Sequence, residues 1–147
     1  MKGNVHYIPE GYHTVTPYLL VRNAGGLIDF LQQVFDAKET ERMQRPDGSI
    51  MHAEMNHKDS VFMLGPASRK FKTKTPKTFK GTPVSFYLYV DDVERAFEQA
   101  KKAGAKVVAK PVTQFWGDRT GTLNCPDGHK WTLAQNVADF DPSNVPG

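Results

Sequence analysis

The stretch Phe115–Gln135, FWGDRTGTLNCPDGHKWTLAQ, decides how the chain is organised. Gly117-Asp118 is a turn signal, and Arg119 to Cys125 reads as a strand. Pro126-Asp127-Gly128 turns the chain, and Lys130 to Gln135 returns as a closing strand. That closing strand has a faint twin in Ser60 to Gly65, SVFMLG. Leu64 and Leu133 stand 69 positions apart, as do Val21 and Val90, and Thr16 and Ser85. A constant offset over the same order of elements marks an internal duplication, although few residues are identical between the halves.

Each half reads as strand, helix and three strands. In the first, Thr14 to Val21 alternates, with Val15, Leu19 and Val21 on one face and Thr16, Tyr18 and Leu20 on the other. Pro17 suits an edge or bulged strand because it cannot donate to a ladder. Asn23 is a candidate N-cap for a helix striped by Leu27, Phe30, Leu31, Val34 and Phe35. Lys38 to Arg45 and Ser49 to Asn56 form a hairpin about Pro46-Asp47-Gly48. In the second half, Val84 to Val90 is a strand, and Asp91 and Glu94 have capping-box spacing. Val93, Ala96, Phe97 and Ala100 stripe its helix, and Ala105 to Lys110 is a strand stopped by Pro111. The fold class is α+β, two tandem βαβββ modules. The expected divisions are an arm (1–13), a first module (14–65), a linker (66–83), a second module (84–135) and a loosely docked tail (136–147).

Charge is local. Arg69, Lys70, Lys72, Lys74, Lys77 and Lys80 all fall in the linker, which has no acid. Subtracting these six from the net +3 leaves the rest of the chain at −3. The linker is expected to be an exposed loop. Its Phe71 and Phe79 are candidate base-stacking residues, but Thr and Pro interrupt the cations and no nucleic-acid fold is visible. Nucleic acid is therefore not the favoured partner. No apolar run approaches the ~18 residues of a membrane helix, so no membrane partner is expected. The opening MKGNVHYIPEGYH has no apolar signal core, and Cys125 is the one cysteine. Together these give a reducing, cytoplasmic setting as the expectation.

VSFYLYVDDVERAFEQAKKAGAKVV followed by FWGDRTGTLNCPDGHKWTLA resembles the vicinal oxygen chelate superfamily, the glyoxalase, bleomycin-resistance and extradiol-dioxygenase group. IPEGYHTVTPYLLVR and GDR…PDGHKW are similar to its PhnB-like subgroup. The resemblance covers about residues 8 to 136. It implies that the two modules form curved mixed sheets around a ligand cavity on their concave side, with helices on the convex side of each sheet, and a homodimer. It also implies a divalent ion held by His, Gln or Glu on the first and last strands of each module. Those positions are Thr16, Met63, Ser85 and Thr132. Three hydroxyls and a thioether are a poor set for a catalytic ion, which wants imidazole or carboxylate. No cofactor is expected, and no metal residue is assigned.

The candidate ligand contacts are Thr16, Tyr18, Met63, Ser85, Tyr87, Trp116, Arg119 and Thr132. Phe115, Trp116, Asp118 and Arg119 are expected as a polar-aromatic loop over the cavity, where Arg119 has the fork that grips a carboxylate or phosphate, or else forms a turn pair with Asp118 or a structural ion pair within the loop. His52 and Glu54 share one strand face at i, i+2, and His57 follows. They are the candidate catalytic pair, an imidazole beside a carboxylate, or a relocated metal site; the bland alternative is solvated sheet residues. Trp131 is expected in the core, His129 in a solvated turn, and Cys125 as an inert buried thiol. The expected function is small-molecule binding of the glyoxalase/bleomycin-resistance type, sequestering or resistance-related. The alternative is a lyase or isomerase of that superfamily using the His/Glu pair or a relocated divalent ion.

Overall fold

A computed structural model describes residues 5–147. The part of the arm formed by residues 1–4 lies outside the described residues. In the first module, β1 (Tyr18–Val21) leads into α1 (Ala24–Phe35), then β2 (Lys38–Gln44), β3 (Ile50–His57) and β4 (Ser60–Pro66). A one-turn helix, α2 (Pro76–Phe79), interrupts the linker. The second module repeats the order with β5 (Ser85–Tyr89), α3 (Val93–Lys102), β6 (Lys106–Thr113), β7 (Asp118–Asn124) and β8 (Lys130–Asn136). The sheets run β1-β4-β3-β2 and β5-β8-β7-β6. The first and last strands of each module pair in parallel, and the other neighbours are antiparallel. Register breaks at Glu39/Glu41 and Val107/Ala109 give the β2–β3 and β6–β7 ladders the irregularity that bends a sheet.

Helix α1 forms because its apolar residues recur on one face and Asn23 caps it. The Asn23 side chain accepts a hydrogen bond from Gly26 N at 2.9 Å. The residue capping α3 is Asp92, not Asp91; its carboxylate accepts from Arg95 N at 3.1 Å. Glu94 is thereby free of a capping box. Both stripes are buried, and the two helices pack against each other. Between the modules sits Trp131, wholly buried, with its ring centroid 4.8–6.3 Å from those of Phe30, Phe35, Phe62 and Phe86. Gly121 is needed for close approach: a Cβ there would lie 2.8 Å from the Phe97 ring. A polar latch accompanies this core. Asp127 Oδ1 accepts from Arg22 N at 3.1 Å and Asn23 N at 3.3 Å, tying the β7–β8 turn to the entry of α1.

Several expectations are corrected. β1 begins after Pro17, so Val15 is exposed rather than in the core. β6 continues through Pro111 to Thr113; an edge strand tolerates a missing donor. The linker is not simply an exposed loop, because Thr75 and Pro76 are buried although all six cations are exposed. His129 is buried, not solvated, beneath that linker. The start of the tail is tied down: Val137 N and Ala138 N donate to Gly117 O at 2.9 and 3.1 Å. Among the described residues, no helix is long and apolar enough to cross a membrane.

Candidate functional site

Strand parity decides what faces away from the helices. On β1, Leu19 and Val21 enter the core, so Tyr18 points to the concave side, 49% exposed. On β3, Ala53 and Met55 enter the core, so His52 and Glu54 share the concave side with it. Register places Met63 between Tyr18 and Glu54 in one row. The predicted pair does meet: His52 Nε2 lies 2.8 Å from Glu54 Oε2. It is also extended at both ends. Tyr12, from the arm, donates to Glu54 Oε1, and the Tyr18 hydroxyl lies 3.0 Å from His52 Nδ1.

Glu54 is 7% exposed. Burial pushes its carboxyl up, but the hydrogen bonds from Tyr12 and His52 more than offset that, and it stays below the usual value. An ionised Glu54 accepts on both oxygens. His52 therefore carries its proton on Nε2, which leaves Nδ1 to accept the Tyr18 O–H. Burial, then the Glu54 charge, raises the Tyr18 phenol above its usual value. The arrangement is a phenol, an imidazole and a carboxylate in series.

Tyr18 reaches His52 because Gly65 leaves room. A Cβ on Gly65 would lie 2.6 Å from the Tyr18 oxygen. Sequence reasoning missed Gly65 and Tyr12. A glycine inside a strand is a signal of close approach; nothing in the arm singled out Tyr12 over Tyr7, which is exposed.

The second module carries a different arrangement at the matching place. Tyr87, 69 positions after Tyr18, is 46% exposed and donates to Asp118 Oδ2 at 2.7 Å. Tyr89 donates to the same oxygen at 2.9 Å, and Asn136 Nδ2 to Oδ1 at 3.0 Å. Trp116 Nε1 in turn donates to the Tyr87 oxygen at 3.0 Å. Burial and the Asp118 hydrogen bond push the Tyr87 phenol up to about 12. Burial pushes the Asp118 carboxyl up, and the hydrogen bonds it accepts outweigh this, so it is held below its usual value. Thr132 lies beside Tyr87 in register, with its Oγ1 2.9 Å from that of Thr122.

Three predicted contacts stand apart. Arg119 follows Asp118 on β7 and so faces α3, where its Nε donates to Glu94. It is a structural ion pair and not a clamp on the concave side. The partner expected for it, Asp118, holds the tyrosines instead. Thr16 precedes β1 beside His13 and Val61. Ser85 is exposed at the start of β5, opposite Lys130. Cys125 is buried, and burial raises its thiol, as befits an inert residue. His57 is half-buried against Phe35, with Nε2 sealed and without a partner.

Residues 12–133 match the sequence profile of the Glyoxalase/Bleomycin resistance protein/Dioxygenase superfamily. The chain belongs to this superfamily. An uncharacterized protein of Mycobacterium tuberculosis is 38% identical over 134 residues, 89% of this chain and 79% of that one. Two solved structures share the superfamily fold. The PhnB protein from Bacillus cereus is 17% identical, with a TM-score of 0.66 over 84% of this chain and 99% of its own. The fosfomycin resistance protein FosX from Mesorhizobium loti is 16% identical, with a TM-score of 0.61 over 85% and 92%.

Against the ion that resemblance to the superfamily implies, this donor set does not fit. Thr16, Met63, Ser85 and Thr132 bring hydroxyls and a thioether, and the Thr132 hydroxyl is already bonded to Thr122. Among the described residues, no three His, Cys, Asp or Glu side chains converge.

Proposed function

We propose that the protein binds a small molecule on the concave faces, as a member of the superfamily that uses the matched phenols Tyr18 and Tyr87 in place of metal ligands. The observation that carries this is their pairing. Each phenol stands at the same position of its module, about half exposed, and is hydrogen-bonded from behind to a system ending in a buried carboxylate. A half-exposed phenol on such a support is rigid and presents both a ring and a hydroxyl to a ligand. Met63, Trp116 and Thr132 complete the contacts. A sequestering, resistance-type role fits, because binding alone suffices for it. The setting in this reading is cytoplasmic, and the active form is a homodimer. Exposed Met43, Met51, Tyr87 and Tyr89 support a second copy closing the faces. A thermal-shift screen of small aromatic and acidic metabolites, with and without EDTA, tests the reading. Hits that resist EDTA and weaken in both Tyr18→Phe and Tyr87→Phe are expected. Stoichiometric Ni, Zn, Fe or Mn in protein purified without chelator would sink it.

A second reading is favoured by the hydrogen-bonded series itself: a lyase or isomerase using acid–base chemistry. His52 Nδ1 takes the Tyr18 proton, Glu54 stabilises the imidazolium, and Tyr18 exchanges a proton with the bound molecule. His52→Ala should abolish any turnover found while leaving the fold intact. Unchanged turnover in that variant would remove this reading and leave the binding function standing.

A further inference from the structure

Two cavities meet at Tyr18 and Leu20, and the linker walls both. The larger, about 720 Å³, lies between Tyr18 and Phe86, with Lys74, Pro76 and Phe79 of the linker along it. The smaller, about 630 Å³, lies among Leu20, Met51 and Phe71, with Arg45 at its side. Both linings are mainly apolar. Each has one Lys or Arg, and among the described residues neither is lined by an acid. Lys74 and Arg45 are not ion-paired within the described residues. Lys74 Nζ stands 5.8 Å from the centre of the exposed Phe79 ring, so cation and aromatic face are presented together. His129 also lines the larger cavity; it is 8% exposed, with Nδ1 sealed and unpartnered. Burial holds it below the usual histidine value, so it adds polarity there without charge.

A cavity of this size suits an organic ligand of one or two rings. An unpaired cation over an apolar lining with no acid selects an anion attached to an apolar body. We propose that the linker-walled cleft binds a flat, apolar carboxylate, its body between Phe79 and Phe86, its acid group on Lys74. A hydrogen-bonding substituent reaches the Tyr18 phenol where the cavities join, and Arg45 serves longer acids that extend into the smaller cavity. The proposal rests on the small-molecule reading above and names its ligand class. It assigns the linker a binding role beside Tyr18, the first-module phenol of that reading.

The test uses 2-naphthoate and its neutral amide, 2-naphthamide, titrated calorimetrically into the full chain. Naphthoate should bind about tenfold more tightly than the amide. Lys74→Met, an exposed position, should erase that preference, and Lys101→Met, an exposed cation on α3 outside both cavities, should leave it unchanged. Equal affinity for acid and amide, no naphthoate binding at millimolar concentration, or a preference that survives Lys74→Met overturns the cleft. Binding lost in Tyr87→Phe but kept in Lys74→Met places the ligand on the second module's face; the cleft fails and the small-molecule reading stands. Sedimentation on the same samples decides the remaining occupant. A naphthoate-induced change from dimer to monomer assigns the cleft to a second copy and overturns its role as a ligand site.

Discussion

Gly65→Ala tests the Tyr18–His52 contact without touching either residue. The new methyl carbon would lie 2.6 Å from the Tyr18 oxygen and 3.0 Å from the Met51 carbonyl oxygen. The phenol ring itself is at an ordinary 3.5 Å. The clash is thus mainly with the hydroxyl, which must leave His52. Overpacking costs about 1–3 kcal/mol, and the lost hydrogen bond about 0.5–1.5 kcal/mol. Alanine in a strand recovers about 0.5–1 kcal/mol relative to glycine. The net expected loss is about 1–3 kcal/mol. In a Tyr18→Phe background the hydroxyl is absent, and only the Met51 contact remains. The same glycine substitution should then cost at least about 1 kcal/mol less, a coupling readable in a double-mutant cycle by urea denaturation. Imidazole ¹⁵N shifts give a second readout, since Gly65→Ala and Tyr18→Phe should perturb His52 Nδ1 alike. Additivity within about 0.5 kcal/mol, together with unchanged His52 shifts in Gly65→Ala, refutes the contact.

Trp131→Ala removes the ring that Phe30, Phe35, Phe62 and Phe86 share and should cost about 3–5 kcal/mol in denaturant melts; a loss below about 1 kcal/mol contradicts a shared core. Asp127→Asn keeps an acceptor for Arg22 N and Asn23 N and should be near neutral, whereas Asp127→Ala leaves them unmet at about 1–3 kcal/mol; equal costs would discount the latch. Arg119→Met breaks an exposed pair with Glu94, should cost less than about 1 kcal/mol, and should not alter ligand affinity. Acid titration should show two windows. His57 and His129 are held neutral by burial, with folded values below the ordinary 6.5, so the unfolded chain binds more protons and stability falls as pH drops below about 6.5. Glu54 is held below the ordinary 4.5 and Asp118 below 3.8, so their contribution is full above those values and disappears as pH falls through their lower folded ones. In urea melts across pH, His57→Gln should make the first window shallower, leaving the share of His129, and leave the second unchanged.

Period and parity made most of the fold legible. Alternation on β3 separated Ala53 and Met55 from His52 and Glu54, and a constant offset exposed the duplication before any contact was known. The same parity assigned Trp131 to the core. Failures came where contacts, not pattern, decide. Arg119 read as a loop clamp because Gly117-Asp118 reads as a turn. The strand in fact begins at Asp118, which turns Arg119 toward α3. His129 sits in a turn, and turns are usually solvated, but the linker folds back over this one. Pro76 packs there; a Cβ on Gly128 would lie 3.2 Å from it. Tyr12 joins Glu54 across 42 residues, a distance at which no local spacing gives a signal.

The two modules differ at the one place where both expose a phenol. Tyr87 is bound on both sides, donating to an ionised carboxylate and accepting from Trp116. Its proton is held, with the phenol at about 12, so it serves as a fixed surface. Tyr18 donates instead to Nδ1 of His52, whose Nε2 donates to Glu54. The strand position behind Tyr18 is Gly65, and its counterpart 69 positions on is Ala134. A methyl group at that position is what would drive the Tyr18 hydroxyl from its histidine. The duplicated fold thus carries one phenol backed by an imidazole and one backed directly by a carboxylate. A ligand reaching both meets a responsive contact from the first module and a rigid one from the second. A reaction, where one exists, begins at Tyr18; recognition without reaction needs only the geometry the two phenols share.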